Sequence, residues 1–268
     1  MADAPLSAEH FYDELATYFD VLTDWSARLA YEGPFLRRLF EEHRVEKVLD
    51  VACGTGGHVI EFARWGLRAV GADLSSAMIA RARANAAAAG VTVLFIQVGF
   101  AELADHFPEP FDAVLCLGNS LPHLLDDKEL LVAFRSFGQC LRPGGLLLLH
   151  NLNYDKRWRE QPRFFAPNGG QVDGQEVLIW RFADYHEDEG LITFHTALFR
   201  KEAEAGWQVQ VNSTPQRPLF QSDLLSWLWQ AGFVEHLCYG NLTGEPFDAA
   251  TSPDLVIVTR RSGRIEGQ

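Results

Sequence analysis

Nothing in this sequence approaches the ~18 consecutive apolar residues of a membrane-spanning helix, and Met1 to Pro5 holds no basic region followed by an apolar stretch. A soluble cytoplasmic protein is expected. Basic residues are scarce: 23 Lys and Arg stand against 36 Asp and Glu, and the net charge of -13 opposes association with a polyanion. Neither nucleic acid nor membrane is expected as a partner. Cysteine is sparse too, with Cys53, Cys116, Cys140 and Cys238 far apart and no Cys-x-x-Cys pair. They read as reduced packing residues, no metal site is expected, and no Ser-His-Asp constellation is evident. Repeats and low-complexity segments are also lacking. What is present is apolar: at 47% hydrophobic, 268 residues can bury a full core as one large domain or a domain with an insert.

The chain is organised around Val48-Leu49-Asp50-Val51-Ala52-Cys53-Gly54-Thr55-Gly56-Gly57, an apolar strand that meets an acidic residue and then a glycine-rich turn opening a helix from about His58 to Trp65. The glycines permit positive φ and leave bare backbone beside unpaired helix N–H groups, so a nucleotide-like ligand fits. The dinucleotide fingerprint fails at Val59, and no Lys-Ser or Lys-Thr follows to make a phosphate loop. A second strand ends at Asp73, 19 residues beyond Gly54, where a carboxylate reaches the hydroxyls of a ribose bound over the first loop. Ser75 or Ser76 caps the next helix, and Met78 on its first turn is either an adenine contact or a core residue.

The remaining elements follow from periodicity. Phe11, Tyr12, Leu15, Tyr18, Phe19, Leu22, Trp25 and Leu29 recur at three and four, giving a helix over 9 to 31 that either packs on the domain or covers the ligand with Tyr18 and Arg28 facing in. A second helix starts with Pro34 in its first turn. Val91 to Val98 reads as a strand buried on both faces, and Phe111 to Ser120 as the fourth strand. A helix over 127 to 140 and a turn at Leu141-Arg142-Pro143-Gly144-Gly145 feed a fifth. An irregular connection over 156 to 175 precedes three alternating segments near 176 to 184, 190 to 200 and 206 to 213. This antiparallel insert is placed either to cap the substrate or to form a homodimer. A helix over 221 to 231, capped by Ser222, and strands at Phe233 to Tyr239 and Leu255 to Arg260 finish the sheet. Residues 261 to 268 read as a flexible tail.

The run from Asp50 through Gly56, with Leu141 to Gly145, resembles class I S-adenosylmethionine-dependent methyltransferases. Cys116-Leu117-Gly118-Asn119-Ser120-Leu121-Pro122-His123-Leu124 and His150-Asn151-Leu152-Asn153-Tyr154-Asp155 narrow the likeness to the glycine and sarcosine N-methyltransferase group over residues 45 to 155. The resemblance implies a Rossmann-like α/β fold: a mixed seven-stranded sheet with helices on both faces and a small antiparallel cap after the fifth strand. Residues 1–155 and 218–260 would form the methyltransferase domain, and 156–217 the insert. It implies S-adenosylmethionine as cofactor, held by Tyr18, Arg28, Asp50, Ala52, Gly54, Gly56, Asp73, Leu74, Met78, Phe100, Ala101 and Leu117. Arg28 would pair with the methionine carboxylate, Asp50 would help hold the amino group, and Leu117 would contribute backbone. Asn119, His123 and Asn153 would orient the acceptor, with Tyr154 beside it. The chain departs from the group in two places: Phe100 stands where an Asp commonly reads adenine, and Leu152 where an Arg binds the amino acid carboxylate. Arg157, Arg159, Arg163 and Arg217 lie in and around the insert, and Arg217 is the expected replacement clamp.

A small amine is the expected acceptor, because displacement at an activated methyl needs alignment more than acid–base help. A hydroxyl acceptor, with His123 or His150 as base, is the rival within enzymes. An idle cofactor-binding subunit is the rival outside them.

Overall fold

The structure, a computed structural model, describes residues 5–203 and 205–263. Seven strands make one sheet: β1 (Lys47–Asp50), β2 (Arg68–Asp73), β3 (Leu94–Gln97), β4 (Phe111–Cys116), β5 (Leu141–Leu152), β10 (Phe233–Tyr239) and β11 (Asp254–Arg261). Four more, β6 (Asn168–Val172), β7 (Gln175–His186), β8 (Leu191–Glu202) and β9 (Gly206–Gln216), form a separate antiparallel sheet between β5 and β10. The large sheet runs β10-β11-β5-β4-β1-β2-β3; β1 to β5 are parallel, β11 runs antiparallel to β5, and β10, antiparallel to β11, runs in the direction of β1 to β5. This is the expected mixed seven-stranded, Rossmann-like sheet.

Alternation along the central strands explains why both faces need helices. Leu49, Val114, Leu147 and Ile257 face one buried cluster with Phe134, Phe137 and Leu228. Their neighbours Val48, Ala113, Leu148 and Val256 face the other, with Leu36, Phe62 and Ile79. The chain winds from β1 to β3 on one side and from β4 to β5 on the other. The reversal between β1 and β4 opens a crevice at their carboxyl ends, where such sheets bind ligands.

Several expectations are corrected. β3 is an edge strand, four residues long, with Leu94 exposed, because among the described residues no strand pairs beyond it. The N-terminal helix breaks into Ala8–Leu15, a 3₁₀ turn and Phe19–Leu22; Thr23 is extended, and Asp24 caps a new helix, Trp25–Glu42, by accepting from Ala27 N–H. Pro34 lies inside that helix rather than starting one. The fourth strand stops at Cys116 because Gly118 and Asn119 take positive φ, 84° and 69°. The connection after β5 is a helix, Tyr154–Glu160, followed by β6, so the insert has four strands rather than three. Ser222 caps nothing: the N-cap of Gln221–Gln230 is Phe220, and the Gln221 N–H goes to Asp155. Arg261 belongs to β11, its guanidinium donating to Leu141 O, and residues 264–268 of the expected tail lie outside the described residues.

Candidate active site

The crevice encloses a cavity of about 700 Å³. Its floor is the strand-end loops, one wall is the segment from Ala8 to Arg28, and the opposite wall is one face of the antiparallel sheet.

At the glycine-loop end, Gly54 has a φ of 53°, and its N–H donates to the Asp73 carboxylate at 2.8 Å. Ser75 N–H donates to the same group at 2.9 Å. Burial pushes the Asp73 pKa up to about 6, and these two N–H groups keep it from rising further. Ser75 is also the helix cap, accepting from Met78 N–H at 3.0 Å. Asp73, Leu74, Met78 and Phe100 line this end together with Ala52 and Gly54.

Beneath the loop lies a buried ion network. Arg28 Nε donates to Glu32 at 2.8 Å, and His58 Nε2 donates to the other Glu32 oxygen at 2.6 Å. Burial alone would raise the Glu32 pKa, yet the His58 hydrogen bond and the Arg28 charge hold it at about 2. Burial pushes His58 down, so the ring is neutral and Nε2 carries its proton. Asp50, 1% exposed, has two carboxylate oxygens without a hydrogen-bond partner among the described residues, and burial pushes its pKa up to about 7.

At the far end lies a directed hydrogen-bond chain. Leu152 N–H donates to Asn119 Oδ1 at 3.0 Å, which orients the amide so that Nδ2 donates to Tyr154 Oη at 3.0 Å. Tyr154 then donates to Gln216 Oε1 at 3.4 Å, leaving Gln216 Nε2 to donate to His123 Nε2 at 3.3 Å. Tyr12 donates to the same nitrogen at 3.1 Å. His123 Nε2 is therefore the acceptor and Nδ1 carries the proton. Burial pulls the His123 pKa down to about 4, and burial pushes the phenols of Tyr12 and Tyr154 up, so all three are neutral near pH 7.

Of the residues assigned in the sequence to the cofactor, the acceptor or catalysis, Arg28, Ala52, Gly54, Asp73, Leu74, Met78, Phe100, Leu117, Asn119, His123, His150 and Tyr154 line this one cavity. Six do not. Tyr18 packs on Val177, Ile179 and Leu198 of the antiparallel sheet, Asp50 lies under the loop, and Ala101 is exposed beyond it. Gly56, with a φ of 85°, is the N-cap of the helix Gly57–Arg64, and the space a Cβ would need is filled by the Phe95 ring 2.8 Å away. Asn153 is fully buried, capping its helix at Lys156 N–H and donating to Ala249 O and Ser252 O. Arg217 pairs with Asp127 and lies over the Trp227 ring.

Tyr12, Glu32, Arg181, Tyr185, Phe194 and Gln216 line the cavity without having been singled out for it. The Arg28 to Glu32 spacing of four was a readable signal. For Arg181 and Tyr185 the signal was strand alternation, which gives a shared face but not what that face covers. Outside the cavity, β7 to β9 bring together Asp184, His195 and Ser213, with His195 contacts of 3.2 and 2.7 Å. The sequence separation of 184, 195 and 213 had hidden this trio; none of the three lines the cavity.

Residues 48–145 match the model of a methyltransferase domain. The glycine/sarcosine N-methyltransferase of Parasynechococcus marenigrum (strain WH8102) is 32% identical over 233 residues, covering 87% of this chain and 79% of that protein. That of Halorhodospira halochloris is 29% identical over 249 residues, 93% of this chain and 87% of its own. Among solved structures, an S-adenosylmethionine-dependent methyltransferase from Clostridium acetobutylicum ATCC 824 superposes with a TM-score of 0.76 at 16% identity, over 94% of this chain and 99% of that one. The enzyme's cofactor is S-adenosylmethionine, and the residues present fit it. Asp73 is an ionisable acceptor facing the cavity, Arg28 lies within 3.8 Å of the space beside Gly118, and Gly54 keeps the loop bare. With a relative of that identity spanning most of its length, and a cavity at the point where the strand order reverses, the chain belongs to the class I S-adenosylmethionine-dependent methyltransferases, in the family of the glycine/sarcosine N-methyltransferases.

Proposed function

We propose that the enzyme methylates the nitrogen of a small amine. The observation that carries this is the protonation state of the acceptor end. His123, with a pKa near 4, is too weak a base to deprotonate a hydroxyl, and the buried phenols are neutral. Of the two other histidines lining the cavity, His58 donates to Glu32 beneath the glycine loop, and His150 accepts from Gly118 N–H through Nδ1 at 3.3 Å, with its buried Nε2 3.5 Å from Asp254. A neutral amine needs no such base.

The cofactor, when bound, supplies a methyl group on a positively charged sulfur, so the leaving group is already activated. The protein binds and aligns. In this reading Asp73 accepts from the ribose hydroxyls, Leu74, Met78 and Phe100 pack on the adenine, and Arg28 meets the methionine carboxylate beside the Leu117 backbone. Asn119, Tyr154, Gln216 and Tyr12 form a neutral polar rim that holds the amine lone pair toward the methyl carbon, and the antiparallel sheet caps the acceptor and excludes water. The glycine/sarcosine specificity in the relatives' names supports an amine and leaves its identity open. Incubation with S-adenosylmethionine and a small-molecule panel, with S-adenosylhomocysteine release measured and the product located by mass spectrometry and NMR, tests this reading. N-methylated product is expected; methylation on oxygen alone would overturn it.

The same sheet presents Phe164, Trp180, Trp207, Val209 and Val211 to solvent on its outer side. So much exposed apolar surface supports a homodimer through this sheet. Sedimentation should give twice the 30.0 kDa chain mass, and a monomer at micromolar concentration would rule the contact out. A cytoplasmic setting, where thiols stay reduced, suits four cysteines that are all free.

A further inference from the structure

The wall opposite the strand ends carries an unexplained pair of cations. Arg181, Ala183 and Tyr185 alternate onto one face of β7, with Ile192 and Phe194 opposite them on β8. Arg157, three residues beyond Tyr154 on its helix, reaches the same cavity and lies over the Phe165 ring at 4.8 Å. Neighbouring Arg28, Arg159, Arg163 and Arg217 each pair with a carboxylate. Among the described residues, Arg157 and Arg181 form no such pair. Arg181 Nε is buried with no hydrogen-bond partner, and only its Nη2 is engaged, by Asn168 Oδ1 at 3.3 Å. Burial first, and then the Arg157 charge, lower the Arg181 pKa, so the two guanidinium groups are close enough to repel. Like charges facing an apolar-walled space without a counter-ion are costly to hold, and an anion between them offsets that cost. Leu152, at the position where the glycine-methylating group has its arginine, presents only an apolar side chain to the cavity.

We propose that Arg157 and Arg181 clamp an anionic group of the acceptor, and that the acceptor is an amine with an apolar body larger than glycine, lying across Tyr185, Ile192 and Phe194 toward Asn119. The proposal rests on the N-methylation reading for the amine, while the clamp itself involves no methyl transfer and is tested apart from it. The probes are phenylacetate, phenylacetamide and acetate, titrated by calorimetry into the full chain saturated with S-adenosylhomocysteine. Phenylacetate should bind at least about ten-fold tighter than phenylacetamide, as charge-assisted hydrogen bonds to a fork predict. It should also bind tighter than acetate, because the apolar wall contributes. Arg181→Met and Arg157→Met should remove that preference with S-adenosylhomocysteine affinity unchanged. The comparison of the three probes on the unaltered protein needs no variant, so a misfolded substitution leaves the test standing. Equal binding of phenylacetate and its amide overturns the clamp, and acetate binding as tightly as phenylacetate overturns the apolar body. A product methylated on oxygen would instead overturn the amine while leaving the clamp result as measured.

Discussion

His123 is the residue where chemistry and packing are easiest to confuse. Its ring sits at the strand end beside the acceptor site, which is where a general base would be, yet Tyr12 and Gln216 both donate to its Nε2 and burial keeps it neutral down to about pH 4. In the proposed reading its role is to orient Tyr12 and Gln216, and through Gln216 the Tyr154 to Asn119 chain. We therefore expect His123→Ala to lower kcat/KM about 10-fold, short of the ~10²–10⁴ that a general base supplies. Between pH 6 and 9 the unaltered enzyme should show kcat/KM rising toward the amine's own pKa, with no inflection from His123. A loss of the larger size with S-adenosylhomocysteine still bound would make His123 a base after all. Asn153 teaches the opposite lesson. It stands one residue before Tyr154 and looked equivalent to Asn119 in the sequence, but its amide is consumed by Ala249 O and Ser252 O.

At the scale of elements, what the sequence made legible is what local chemistry dictates. β1, β2, the Ser75 cap, the helix Asp127–Cys140 and the last two strands each carry their own signal: alternation, a capping hydroxyl, a glycine stop. The spacing of Asp73 from Gly54 pointed to a ribose over the first loop, and the structure places the two residues in contact, because they follow adjacent parallel strands. Illegible were features decided by distant partners. The N-terminal segment reads as one amphipathic helix, yet it is broken so that two aspartates can fasten it over the cavity. Asp13 accepts from Ser75 Oγ and Ala77 N–H, and Asp20 accepts from Trp25, Thr55, Arg81 and Asn85. Gly169-Gly170 carries no strand propensity and becomes part of β6 only because β7 offers a ladder and Val21 fills the space beside Gly170. Arg181 faces the cavity rather than solvent for the same reason: alternation fixes the set of side chains on a face, and packing decides which face is inside.

For the molecule as a whole, the excess of acid has a measurable consequence, because one of its carboxylates, Asp73, lines the glycine-loop end of the cavity with its pKa pushed up by burial. Asp73 has a folded-state pKa near 6 against ~3.9 for an ordinary Asp, so the free enzyme holds a proton there that the unfolded chain releases between about pH 4 and 6. Its contribution to folding thus falls as pH rises through that window. In the proposed reading the ribose hydroxyls donate to Asp73, and they bond more strongly to its ionised form, so cofactor binding would favour loss of this proton below pH 6. The cofactor's affinity then falls with pH. His123, whose pKa is lowered, has the opposite sign: the stability it contributes is lost as pH falls from about 6.5 to 4. That term acts alike on free and bound enzyme and cancels from the difference between them. Glu32, held near 2, keeps its charge throughout. In an Asp50→Asn background, which removes the other carboxyl that titrates in this range, we expect S-adenosylhomocysteine to bind roughly ten-fold more weakly at pH 5 than at pH 7.5, as a single coupled proton requires, with a correspondingly smaller rise in Tm on binding. Asp73→Asn in the same background should bind weakly at both pH values and show no slope. A slope that survives in that double variant, or a Kd constant across the range with Asp50→Asn alone, would take Asp73 away from the ribose.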